Sequence, residues 1–197
     1  MRSRRRVVGG ALAIAGLLLL ALSLGQYGFM YYRQRQLQRE WRQLDAGAAS
    51  AAGTAAASAS TPSSTDKIGS GLLKLVIPRI QLNDIIVPGT SYQALLEGPG
   101  WMRSSSPPGK GNTIIAGHRD TFFRGIHELQ PGDAIRIESG SRTYRYRVVS
   151  RRIVASSDTS ALDSTPKPML TLVTCYPTYW IGPAPKRLIV QARLQSK

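Results

Sequence analysis

From Val7 to Tyr32 no residue carries a charge, and Val7 to Leu24 is apolar apart from glycines and one serine. A helix rising ~1.5 Å per residue crosses the ~30 Å hydrocarbon layer of a bilayer with about 20 such residues. The pattern therefore predicts a transmembrane anchor over 7–32, with residues 1–6 as a short basic tail. Tyr27, Phe29, Tyr31 and Tyr32 fall where an aromatic interface belt belongs. A cleavable signal peptide is the competing reading. The apolar run is long for one, and no small-residue cleavage site follows it directly. Arg2, Arg4, Arg5 and Arg6 form the tighter basic cluster, on a very short tail, so the N-terminus is expected in the cytoplasm and the remaining chain outside.

Residues 33–45 are polar helix formers in which Leu37, Trp41 and Leu44 recur at helical spacing. They predict a juxtamembrane helix that lies on the membrane surface or continues the anchor, with contact to the folded domain the lesser use. Residues 46–70 are mostly Ala, Ser, Gly and Thr, with Pro62 and almost nothing to bury, and read as a flexible linker.

The folded domain is expected over 71–197, where short apolar runs alternate with turn signals. Strands are expected over Leu72–Ile77, Ile85–Val87, Asn112–Ala116, Ala134–Glu138, Arg142–Val154, Met169–Thr174 and Arg187–Leu194. Pro131-Gly132-Asp133 marks a turn, and the two strands after it form a long hairpin about Ser139-Gly140-Ser141. Short helices are expected from Ser91 and Asp158, each capped by that side chain, and one or two helical turns over Phe122–Glu128. Many closely spaced strands with brief helices indicate an all-β barrel or sandwich.

The net charge of +15 resembles a nucleic-acid footprint, but its distribution argues otherwise. Eight arginines flank the apolar run, where they suit anionic headgroups, and without residues 1–45 the charge falls to +9. Arg145 and Arg147 alternate with Tyr144, Tyr146 and Val148, the pattern of a strand's solvated face. With one cysteine, neither an internal disulfide nor a multi-cysteine zinc site is possible. Asp158 and Asp163 are too few for the six to eight oxygens of a calcium site. No cofactor is expected.

Cys175 ends an expected strand just before Tyr176-Pro177, a rim position that suits a reactive thiol, with a small buried structural cysteine the more common reading of a lone cysteine taken by itself. The loop from Tyr176 to Lys186 joins it to the last strand. If these strands pair antiparallel, Arg187 enters opposite Cys175, at ~5 Å between Cβ atoms. A cation there favours the thiolate and suits an oxyanion; an ordinary edge charge is the alternative. His118 ends another expected strand after Gly117, which permits a sharp change of direction. Nucleophile, proton carrier and oxyanion donor together form a set more specific than any member. His127, beside Glu128 in a short polar helix, reads as a surface residue.

Thr171-Leu172-Val173-Thr174-Cys175 resembles the TLxTC signature of sortases. Gly117-His118 resembles their catalytic histidine motif, and Arg187 follows the cysteine by 12 residues, about where their essential arginine falls. The likeness covers Leu72 to Leu194. Ala116 to Arg124 and Cys175-Tyr176-Pro177 are most similar to the class D branch. No segment resembles the N-terminal lid of pilin-polymerising members. The resemblance implies a closed eight-stranded β-barrel with short helices in a single-pass bacterial membrane protein. It implies that Cys175 attacks the threonine carbonyl of an LPxTG-like sorting signal to form a thioester. Arg187 would hold the oxyanion, and His118 would protonate the departing amine. An envelope amine, such as that of a peptidoglycan stem peptide, would then accept the surface protein. It also suggests that Thr174 shapes the substrate groove; Tyr176, Tyr179 and Trp180 either pack substrate or cover the barrel end.

Three other readings remain at this level: an envelope cysteine peptidase or hydrolase without transfer, an anchored binding module with an inert cysteine, and a nucleic-acid binder suggested by charge alone.

Overall fold

Strand alternation and two buried polar side chains set the architecture. The computed structural model describes residues 2–54, 72–140, 142–180 and 182–195. The strands are β1 (Leu73–Ile77), β2 (Leu82–Pro88), β3 (Gly100–Trp101), β4 (Asn112–Ala116), β5 (Ala134–Ser139), β6 (Arg142–Ala155), β7 (Met169–Tyr176) and β8 (Lys186–Leu194). They close into an eight-stranded barrel in the order β1-β2-β3-β4-β7-β8-β6-β5. β2 with β3, and β4 with β7, run parallel, and the other neighbours are antiparallel. Closure removes the open sheet edge that a row of unpaired strand groups would present.

Alternate residues point into the barrel. Leu75, Ile77, Ile115, Ile137, Leu172 and Val190 fill it, and Phe123, Ile126 and Leu129 from the β4–β5 connection join the same core. On β6, Tyr146 and Val148 are buried while Arg145 and Arg147 are exposed, as their alternation indicates. A register shift between Val148 and Ser150 ends that regularity, and Ile153 is exposed beyond it.

Several boundaries differ from expectation. β2 starts at Leu82, because its first residues pair with the end of β1 across a one-turn 3-10 helix at Pro78–Ile80. β3 has two residues, too few for any periodicity to reveal. The expected helix over Phe122–Glu128 is a single 3-10 turn at Ile126–Glu128. Ser91 does cap α2 (Tyr92–Glu97), its Oγ accepting from the Ala94 N–H at 3.2 Å.

Asn112 at the start of β4 is buried and saturated. Its Nδ2 donates to Ala161 O at 3.0 Å and Asp163 O at 2.9 Å, and its Oδ1 accepts from Thr171 Oγ1 at 2.7 Å. Thr171 is thus more than a β-branched strand former: it ties β7 to β4 beneath the site.

The helix α1 (Arg2–Thr54) is longer than expected. Leu12–Leu44 within it is long and apolar enough to cross a membrane by length and composition. It also runs through Ala46–Thr54, where a flexible linker is expected; five alanines, the strongest helix formers, carry it past Gly47 and Gly53. The remainder of that linker lies outside the described residues.

Contact with the barrel, the lesser expectation for residues 33–45, is what α1 makes. Gln34 is buried, and its side-chain amide pairs with both backbone groups of Ile85: Nε2 donates to Ile85 O and Oε1 accepts from Ile85 N, each at 3.0 Å. Nε2 also donates to Glu97 O at 2.7 Å. Paired residues of antiparallel strands turn their N–H and C=O to one side. Those of Ile85 face away from β1, beyond the short β3, and Gln34 fills the gap like a strand. Arg33 pairs with Glu97 at 3.0 Å, Gln38 donates to Asn83 O, and Trp41 is buried. Leu44 stays exposed.

Two measurements test these features. Asn112→Ala leaves two carbonyls and a buried hydroxyl unpaired, and is expected to cost ~2–4 kcal/mol in denaturant unfolding of the full chain in detergent, against ~1 kcal/mol for Thr171→Val. Burial raises the Asp84 carboxyl above its ordinary 3.8. The folded state then holds this proton more tightly, so stability falls as pH rises from the ordinary value through the raised one. Asp84→Asn is expected to remove that fall and to raise the unfolding midpoint at pH 7; a lowered midpoint would contradict it.

Candidate active site

The strands β4, β7 and β8 are adjacent, and their registers bring three side chains to one end of the barrel. Cys175 lies directly opposite Arg187 across the β7–β8 ladder. In the parallel β4–β7 pair, Ala116 lies beside Val173. Beyond the end of β4 the match continues: Gly117 N–H donates to Val173 O at 3.1 Å, and buried Thr174 donates its hydroxyl to Gly117 O at 2.7 Å. His118 follows Gly117 as Cys175 follows Thr174. The sequence-derived trio is thus brought together at the ends of three neighbouring strands.

Each member has a distinct setting. Cys175 is half-buried, accessible at the rim and not sealed in the core. His118 is half-buried, with Nε2 shielded from solvent and, among the described residues, without a hydrogen-bond partner. Its ring meets the Tyr92 ring edge-on, with centroids 5.4 Å apart. Arg187 Nη1 donates to Ala184 O at 3.0 Å and Lys186 O at 2.9 Å. A guanidinium has five donors, so these two bonds hold it at the rim without using it up.

Gly117 serves a purpose other than the sharp turn expected of it. Its φ lies outside the left-handed region, but a Cβ there would come within 2.6 Å of the Phe123 ring. The glycine admits Phe123 beneath the turn, and His118 O accepts from Phe123 N–H at 3.0 Å. Together these contacts fix the backbone that carries His118.

The supporting residues divide. Thr174 is buried and joins β7 to the His118 turn, so its hydroxyl is structural on the geometry seen here. Tyr176 is half-buried and packs against the core. Tyr179 is 85% exposed, so it does not close the barrel end. Trp180 donates Nε1 to Pro183 O within the same loop. His127 is exposed in its 3-10 turn, with Nδ1 2.8 Å from Arg124 O. Among the described residues, no group of three or more His, Cys, Asp or Glu is placed to hold a metal.

Arg119 is a functional neighbour that the sequence pattern does not mark. Its Nη2 donates to Trp180 O and to Gly182 O, at 3.1 Å for the latter, tying the β7–β8 loop to the His118 turn. Its one available signal was adjacency to His118; its partners are backbone carbonyls, which no residue pattern announces.

Comparison with known proteins places this geometry. A family model described as the sortase domain matches residues 75–195. The chain is 38% identical over 126 residues to sortase D of Bacillus subtilis, covering 63% of each. It is 32% identical over 105 residues to sortase A of Listeria monocytogenes, covering 51% of this chain and 47% of the other. The chain thus spans less than two thirds of either relative's length. The structure of a Clostridium perfringens sortase D5 transpeptidase superposes with a TM-score of 0.58 at 30% identity, over 64% of this chain and 79% of that one.

Removing the Arg119 tether is expected to loosen the loop. Arg119→Ala should speed amide hydrogen exchange across residues 177–185 by roughly tenfold or more, as local opening becomes easier, while exchange in β4 and β7 stays slow. Unchanged exchange in the loop would show that the two carbonyl contacts do not hold it.

Proposed function

The chain belongs to the sortase family, and from that premise we propose that it is a membrane-anchored cysteine transpeptidase with Cys175, His118 and Arg187 as its catalytic residues. The observation that carries this reading is the convergence of those three side chains at the ends of β4, β7 and β8. The apolar part of α1 is the single-pass anchor, with the N-terminus cytoplasmic and the barrel outside. The substrate is a surface protein bearing an LPxTG-like sorting signal, and the acceptor is an amine of the cell envelope.

The chemistry follows from the residue types. The Cys175 thiolate attacks the carbonyl carbon of the signal's threonine. Arg187 stands on the neighbouring strand, where its guanidinium reaches the oxygen as negative charge develops there. His118 as imidazolium gives its proton to the departing amine nitrogen, the C–N bond breaks, and a thioester remains. An incoming amine attacks the thioester, its proton passes to His118, and the thiolate leaves as a new amide forms. Thr174 acts by position: its bond to Gly117 O holds the His118 turn against the Cys175 strand.

The test is intact-mass spectrometry of the full chain in detergent with a pool of LPxTG-like peptides and triglycine. The expected result is a thioester on Cys175 and a transferred product. Cys175→Ala should abolish both. Arg187→Ala should slow thioester formation by about 10²–10³-fold, the usual loss on removing an oxyanion donor. A thioester that yields only acid would favour the peptidase reading. A thiol that reacts freely with a methanethiosulfonate reagent yet takes no peptide would sink the proposed substrate.

A further inference from the structure

A cavity of about 190 Å³ lies between α1, α2 and the turn after β4. Tyr27 and Met30 come from α1, Tyr92 and Leu96 from α2, and His118 and Asp120 from the turn. We propose that this cavity seats the incoming primary amine of an acceptor peptide, arriving as an ammonium held by Asp120, and that it is complete only while α1 is docked on the barrel. The inference rests on the transpeptidase reading above and adds the place where its second substrate binds.

Position is the first reason. Reversed, thioester formation is attack by the departed amine. The incoming amine repeats that reversed step with a new nitrogen, so it approaches from where the first one left, beside the proton carrier. His118 lines the cavity, so an amine seated there arrives beside the ring that takes its proton.

Charge is the second. Asp120 is exposed, and among the described residues no ion pair engages it, in a chain of net charge +15. An uncompensated carboxylate beside the aromatic rings of Tyr27 and Tyr92 suits a small cation. The ammonium loses one proton to solvent on becoming a nucleophile. Its nitrogen bonds to the thioester carbon, the C–S bond breaks with its electron pair on sulfur, and the second proton passes to neutral His118. Imidazolium and thiolate are restored, ready for another sorting signal.

The third reason is the wall itself. α1 supplies Tyr27 and Met30 to the cavity while Arg33 and Gln34, further along the same helix, hold it on Ile85 and Glu97 of the barrel. Gly98 is there to allow it: its φ is extended, and a Cβ would fall within 2.4 Å of Gln34 Nε2.

The experiment loads the full chain, in nanodiscs, with an LPxTG-like peptide and chases the Cys175 thioester with graded triglycine. The readout is the ratio of transferred to hydrolysed product, which does not depend on how fast the thioester was made. Asp120→Asn is expected to raise the half-saturating triglycine concentration roughly tenfold, the size of one charge-assisted contact, and Asp120→Glu to restore most of it. The double variant Arg33→Ala, Gln34→Ala should raise it similarly by releasing α1. Hydroxylamine, small and uncharged at neutral pH, should resolve the thioester of Asp120→Asn as well as that of the wild type. Unchanged half-saturation in both variants, or an equal loss with hydroxylamine, overturns the proposal. Absence of any thioester on Cys175 instead removes the reading on which it stands.

Discussion

The parallel pairing of β4 with β7 is the constraint from which the site follows. Strands joined by a hairpin end at opposite ends of their ladder, but parallel neighbours end side by side. β4 and β7 therefore carry His118 and Cys175 to one rim, and the antiparallel return of β8 brings Arg187 back to it. Parallel pairing requires a long crossover, here residues 117–168, which holds β5 and β6 together with the Phe123 turn. The pairing is held from below by Asn112 and Thr171, and from above by Thr174 and the Gly117 carbonyl. Polar side chains at both ends reinforce the register that the buried apolar residues already specify.

A second constraint acts at β2. The two-residue β3 cannot cover β2's full length, so Ile85 would leave an N–H and a C=O unpaired. A buried unsatisfied backbone group costs about as much as a lost hydrogen bond. One glutamine carries both complements, and Gln34 supplies them from α1. An incomplete sheet edge is thereby turned into the point where the barrel's position relative to α1 is set.

The chain announces the barrel and the trio more plainly than it announces their connection to α1. Asn112–Ala116 is marked by β-branched residues together, and the β5–β6 hairpin by alternation about Gly140, since these are patterns of many residues with one cause. The ends of β4, β7 and β8 are legible for the same reason: a lone cysteine, a lone strand-end histidine and an arginine after a proline-rich loop are each uncommon. β3 and the Gln34 contact escape because each depends on one or two residues whose partners are backbone atoms far along the chain. A glutamine within a polar helix looks like any solvated glutamine. Gly117 was legible as special but not for the right reason, since a sequence does not separate a glycine needed for its torsion angles from one needed for space.

The docking of α1 is specific but energetically modest. Arg33 and Glu97 are each about one-third exposed, with side-chain accessibilities of 37% and 32%, so their ion pair contributes at most ~1 kcal/mol. The three bonds of Gln34 replace bonds to water that the same groups would make with the helix released, and net gains of that kind are ~1 kcal/mol each. Trp41 adds apolar burial at one point of the contact. A contact this slight between separate molecules would not survive the entropy of association. Here the two sides belong to one chain, so docking is an intramolecular event at high effective concentration. Such an interface holds the barrel in a defined attitude while keeping release within a few kcal/mol. The wall that α1 and the barrel share beside His118 is therefore fixed in place yet inexpensive to open.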